Sequence, residues 1–291
     1  MSPLDPLATA RAAAGVVTDL MKAAGDNPDV KAAGTELGKA ALTVAKAVNN
    51  ALLPLAAVNF AFDKARKYFQ EKFEQEIAQK AASIPPENIV EPKASIAGPA
   101  LQGLAFAHEE PDLKEMYLGL LTSSMDSRVS ENVHPAFVEI IRQLTAEEAY
   151  LLNYFFQRSS GLPIVELRVT QQPSGYRTLA RHLTDTVDRE SGEKTANPRL
   201  PAMIDNWRRL GLVEVNYLQF FVAENAYGWV LTRPEYAKLQ QQHETETNKI
   251  EIQQGIMTST AFGRQFASAV GIDAASAALG IDAAPDQGGE S

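Results

Sequence analysis

The 291-residue chain carries 36 acidic against 27 basic residues, a formal net charge of −9, with 45% apolar residues and no cysteine. That balance opposes general nucleic-acid binding, which needs a surplus of Lys and Arg at the phosphates, and leaves only a local basic patch for such a role. Without cysteine, disulfides and thiolate chemistry are excluded, and a metal could be held only by His and carboxylates.

The N-terminus places Asp5 between Pro3 and Pro6, where a secretory signal would carry positive charge ahead of an apolar core, so the chain reads as cytoplasmic. Residues 1–83 read as Ala-rich N-terminal helices. The composition predicts helices over 6–21 and 31–62, separated by the Asp-Asn-Pro-Asp cluster at 26–29. The stretch 40–62 is long enough to cross a bilayer, but Lys46, Asn49, Asn50, Pro54 and Asn59 make it a poor lipid-facing span. It is expected to pack as a hairpin at rest. Leu42, Val48, Leu52 and Leu55 form the stripe that would meet a membrane if the segment were released.

From 63 to 82 a charged helix is predicted, with Ala65, Phe69, Phe73 and Ile77 on its packed face. Residues 84–158 form the expected central helical bundle. Its first part, Ile84 to Pro92, is too proline-rich for helix and reads as a strap. Helices follow over 99–109 and 112–125, the second with Leu113, Met116, Tyr117, Leu120 and Leu121 on one face. The strongest local signal comes next. Pro135 opens a helix whose Phe137, Ile140, Ile141 and Leu144 share a face. Thr145 with Glu148 forms a capping box that starts another, with Ala149, Leu152, Phe155 and Phe156 as its stripe.

Residues 159–270 change to mixed α and β. Alternation predicts a strand over 163–170, while 176–187 is assigned as helix and 189–197 as a polar loop. A helix over 200–210 ends at Gly211 and runs into a strand over 212–215, the rhythm of a winged helix. An insert near 217–245, with a helix over 234–242, interrupts the wing. A strand over 250–257, a closing helix from Thr260 and a disordered tail over 271–291 complete the chain. The expected fold class is mainly α with a small β component: a helical bundle followed by a winged-helix-like α+β module.

With these residues in view the chain resembles the Abi-alpha (abortive infection alpha) family. The likeness is carried by the strap 84–92, the run 113–125, the residues from His134 to Ile141 with Leu144 and Ala149, the segment 209–213 and the segment 262–266. The resemblance implies a cytoplasmic bacterial or prophage-encoded protein of phage defence, with no catalytic residues to carry over.

The residues themselves offer no catalytic, cofactor or metal site. His108, His134, His182 and His243 lack metal-ligand spacing, and no nucleophile elbow or phosphate loop occurs. The chain is therefore expected not to be an enzyme and to use no cofactor. Its expected function is phage defence through a protein partner or phage component, with conditional membrane contact by the N-terminal stripe. The alternative is a winged-helix DNA-binding regulator, for which Arg177, Arg181, Arg199, Arg208 and Arg209 are the phosphate candidates. Nearby acids, among them Asp185, Asp188 and Asp205, favour a solvated and neutralised face instead. Trp207 reads as core.

Overall fold

The computed structural model describes residues 59–158, 161–170 and 175–272. The helix expected over 6–21, residues 31–58 of the helix expected over 31–62, the membrane stripe Leu42, Val48, Leu52 and Leu55, and residues 273–291 of the tail expected over 271–291 lie outside the described residues.

The charged helix expected over 63–82 is two helices, α1 (Asn59–Glu71) and α2 (Phe73–Ala81), broken at Lys72, whose φ is −126°. Ala65, Tyr68, Phe73, Ile77 and Ala81 are buried from both. The strap contains a short 3-10 turn, Pro86–Asn88, and is pinned to the turn after α4 (Pro111–Ser124). The Val90 N–H donates to the Met125 carbonyl at 2.8 Å, and the Ser127 N–H to the Asn88 carbonyl at 2.8 Å. Between them, α3 (Ala94–Ala107) begins five residues before the expected start at Pro99, which sits inside it. A proline there forfeits one helical hydrogen bond, but eight residues of α3 are buried, and that packing outweighs the loss.

The corner forms as expected. Helix α5 (Ala136–Arg142) buries Phe137, Ile140 and Ile141, and α6 (Ala146–Phe156) buries Ala149, Leu152, Phe155 and Phe156. Both halves of the capping box are made: the Glu148 N–H donates to Thr145 Oγ1 at 3.2 Å, and the Thr145 N–H donates to the Glu148 carboxylate at 2.8 Å. Asn206 Nδ2 donates to the other Glu148 oxygen at 2.8 Å and to the Gln143 carbonyl at 3.1 Å. The cap thus also fixes α7 (Leu200–Arg209).

Strands β1 (Leu162–Thr170), β2 (Tyr176–Leu183), β3 (Val213–Asn216) and β4 (Ile250–Ser259) form one antiparallel sheet in the order β2-β1-β4-β3. The helix assigned to 176–187 is therefore a correction: its first eight residues are β2. The β1–β2 register explains the misreading. Val165 pairs with Leu183 and Leu167 with Ala180, so Glu166 faces both Arg181 and His182; a second extra residue, Leu179, falls between Ala180 and Thr178. Two bulges break the period of two and leave Tyr176, Leu179, Ala180 and Leu183 at helix-like spacing.

A large apolar cluster joins the helices to one sheet face through Ile164, Val213 and Met257. It takes in Leu200, Met203, Ile204 and Trp207 of α7 and Phe266 of the closing helix α9 (Ala261–Ala269), so it runs across the boundary drawn at 158/159. A smaller cluster lies on the other face, where Val165, Leu167, Val169, Leu183 and Ile250 meet Tyr227 and Val230 of the insert. The insert itself contains a 3-10 turn, Gly228–Thr232, and α8 (Pro234–His243). Helix α7 ends at Gly211, whose φ of +73° suits glycine, and turns directly into β3. At Gly263 an added Cβ would lie 2.0 Å from the Leu212 carbonyl oxygen, so glycine is required where α9 meets that turn.

Candidate functional site

The apolar residues of α7 face the core; Asp205 and Arg208 on its polar side border a bulged corner of the sheet, and its N-cap residue Arg199 lines an open groove. At the corner, the β2 bulge puts His182 at a φ of +55° and turns its ring inward, where it is buried. Such a backbone is uncommon for a residue with a side chain, and bulges of this kind re-aim side chains beside functional sites. The ring stacks on Tyr217 at 6.1 Å between centroids. Nδ1 lies 2.9 Å from the Tyr217 hydroxyl and Nε2 lies 3.3 Å from Asp205 Oδ1. Burial holds the imidazole below its ordinary pKa, against the upward pull of Asp205; the cations Arg208 and Arg181 add to the lowering. Burial also pushes the Tyr217 hydroxyl above its ordinary pKa.

Beside His182, on the same face of β1 as Ile164, the buried Glu166 is neutralised by two guanidinium groups. Arg168 pairs at 2.6 Å and Arg181 at 3.0 Å, and Arg168 Nη1 donates to Gln253 Oε1 at 2.8 Å. Arg168 also covers the Tyr176 ring, 4.2 Å from its centroid.

The five phosphate candidates do not form one surface. Arg177 lies exposed on β2 opposite Val169. Arg181 is on Glu166, and Arg208 is on Asp205 at 3.2 Å. Arg209 donates to Asn206 Oδ1 at 2.6 Å and to Gln143 Oε1 at 2.9 Å. Arg199 pairs with Glu147 at 2.5 Å. Only Arg181 and Arg208 are brought together, around His182. Arg199 is nine residues from Arg208, about 14 Å along the helix axis and roughly on its opposite face. Trp207 is buried in the core, as expected. His134 is a helix-start residue, its Nδ1 accepting the Ala136 N–H at 3.1 Å. Among the described residues no three His or carboxylate groups gather to hold a metal ion.

The groove, of about 620 Å³, lies between α6 and the loop 184–199. Arg189 spans it, donating to Asp112 Oδ2 at 2.6 Å with its guanidinium 4.1 Å from the centre of the Tyr150 ring. Asn197 Nδ2 donates to Glu147 at 2.8 Å beside Arg199. The loop is held from behind by Arg233, which is 1% exposed and which the sequence reading passed over. Its guanidinium donates to the Thr186 carbonyl at 2.5 Å, the Thr195 carbonyl at 2.9 Å and the Glu235 carboxylate at 2.8 Å.

The insert begins with an apolar strip. Leu218 and Val222 are 92% and 91% exposed, and Phe220 between them is 56% exposed. Phe221 points the other way, against the small cluster, and its N–H donates to the Tyr227 hydroxyl at 3.0 Å. From Val215 to Ala223 the chain carries no charge, and Glu214 and Glu224 flank it.

The model of the family described as abortive infection alpha, Abi_alpha, matches residues 65–270. That is well over half of the chain. The chain belongs to the abortive infection alpha family. No curated protein and no solved structure matches it. The match takes in the bundle, the corner, the bulged sheet and the insert, so the His182 corner, the groove and the apolar strip all lie in the part that carries the abortive infection alpha identity. Among the described residues no helix is long and apolar enough to cross a membrane.

Proposed function

We propose that this member of the abortive infection alpha family is a non-enzymatic defence protein of bacterial or prophage origin, acting in the cytoplasm through contacts with a protein partner. The observation that carries the reading is the strip Leu218, Phe220 and Val222, which presents three neighbouring apolar side chains to water with no charge among them. Exposed patches of this kind mark interaction surfaces. The alternative, a winged-helix DNA regulator, has less support. The β3–β4 connection is a folded insert rather than a short wing, and four of its five candidate arginines are already held by carboxylates or amides. The test is phage challenge of bacteria expressing the full chain or the triple variant Leu218→Ser, Phe220→Ser and Val222→Ser. The variant should melt as the parent does and lose protection. Full protection by the variant overturns the reading.

A conditional membrane role for residues 34–62 rests on sequence alone. Leu52→Glu with Leu55→Glu should abolish dye leakage from anionic vesicles by the partly unfolded protein. If a chain lacking residues 1–62 still protects cells, the membrane role is dropped.

A further inference from the structure

A second cavity, of about 410 Å³, lies among α1, the α1–α2 junction, the end of α3 and the start of α4. Lys64 and Lys67 of α1, Lys72 at the junction and Lys114 of α4 line it, with Tyr68 and His108 stacked at 5.0 Å as an aromatic floor. In a chain of net charge −9, four lysines around one cavity reverse the local sign. Two carboxylates, Glu71 and Glu109, share the lining and leave it positive.

The lysines are not equivalent. Lys114 is committed, its Nζ 2.8 Å from Glu76, whose second oxygen accepts the Tyr68 hydroxyl at 2.8 Å; this pair fixes the floor. Lys64 rests on Glu109 at 2.8 Å and 3.0 Å, with both side chains about half exposed. An exposed pair of that kind is weak and is readily exchanged for a more highly charged anion. The ammonium groups of Lys67 and Lys72, both exposed residues, make no hydrogen bond or ion pair among the described residues, and Lys72 acts on Glu76 only at longer range. Ammonium groups lining one cavity suit a phosphate, which lysine binds as a point charge.

The geometry points to a binding site for a phosphate-bearing anion at this cavity, held chiefly by Lys67 and Lys72. This inference goes beyond the defence reading and does not depend on it. A free phosphorylated compound and an anionic lipid headgroup share the chemistry. The sequence favours the headgroup, because the apolar stretch 40–62 runs straight into Lys64, Arg66, Lys67 and Lys72, the order of a basic segment beside a membrane.

The full chain is titrated with inorganic pyrophosphate by calorimetry. It is also sedimented with phosphatidylcholine vesicles that lack or contain about 30% phosphatidylglycerol. Lys67→Ala with Lys72→Ala should weaken binding about thirty-fold. Glu109→Gln, which removes one of the two carboxylates of the lining, should tighten it several-fold. Lys238→Ala with Lys249→Ala, on exposed lysines elsewhere, should leave it unchanged. Pyrophosphate binding lost in the Lys67/Lys72 variant identifies a soluble ligand, and anionic-vesicle binding lost in that variant identifies the headgroup. Failure to bind either probe, or binding equally strong in that variant, overturns the inference.

Discussion

Replacing Arg233 by Met tests how the groove is built. The guanidinium is 1% exposed and holds the Thr186 and Thr195 carbonyls and the Glu235 carboxylate. Methionine fills much of its volume but leaves Glu235, whose side chain is 16% exposed, without a counter-charge, and two carbonyls without a donor. Breaking one partner of a buried pair costs about 3–5 kcal/mol, a large share of the roughly 5–15 kcal/mol that holds a domain together. In a folded region of this size that corresponds to a fall in Tm of about 6–20 °C. The Arg233→Met, Glu235→Gln double variant should lose less than the first substitution alone, since it also removes the orphaned charge. Hydrogen exchange should localise the effect, with amides of the loop 184–199 opening while those of α4 and α6 stay protected. An Arg233→Met protein melting within a degree of the parent, with the loop as protected as before, would refute the argument that Arg233 fixes one wall of the groove.

Thr145→Ala removes the capping oxygen and should cost about 1 kcal/mol in denaturant melts, whereas Ile141→Asp places a charge in the core and should prevent cooperative folding. His182 should make stability pH-dependent. Its folded-state pKa is depressed by burial, so as pH falls through the ordinary imidazole range the unfolded chain takes up the proton first and stability drops, levelling off below the folded value. His182→Gln should flatten that slope, and an unchanged pH profile would count against a buried neutral ring. The parent should give no salt-dependent DNA retardation at physiological ionic strength; a clear shift, weakened by Arg208→Ala with Arg209→Ala, would restore the DNA-binding alternative.

The corner was legible because everything that makes it is local: Pro135, Thr145 and Glu148 act over three residues, and the stripes of α5 and α6 keep the helical period. The closing helix was legible for the same reason, with Thr260 Oγ1 capping the Gly263 N–H at 2.7 Å. Strand β2 was not, because its two bulges replace alternation with the spacing of a helix face. The start of α3 was misplaced because a proline ordinarily opens a helix, and only burial along the whole element shows that this one lies inside. The candidate site was the least legible. Asp205 and Tyr217 stand 23 and 35 residues from His182, and nothing local indicates that a bulge will turn the ring between them. Arg233 has the composition of a surface residue, and its burial depends on carbonyls 38 and 47 residues away.

Helix α7 borders the His182 corner, and Arg199, just before its first turn, lines the groove, yet the bonds that reach out from its ends differ in kind from those that hold its middle. Arg199 and Arg208 have side chains 75% and 46% exposed, so their ion pairs with Glu147 and Asp205 are weak and exchangeable. Leu200, Met203, Ile204 and Trp207 are buried, and Asn206 is tied to the capping-box glutamate, which anchors the helix itself. A partner entering the groove therefore meets two exposed ion pairs, Glu147 with Arg199 and Asp112 with Arg189. It can take Glu147 from Arg199 or Asp112 from Arg189, and the stretch free to respond is the part of the loop 184–199 between the Thr186 and Thr195 carbonyls that Arg233 holds. That loop runs from the end of β2, immediately after His182, to the start of α7. The Arg233 bond to the Thr186 carbonyl holds displacement of that stretch short of the His182 corner. Labels on the loop at Glu190 and on the sheet at Arg177 should report it: groove occupancy moves the first and leaves the second in place.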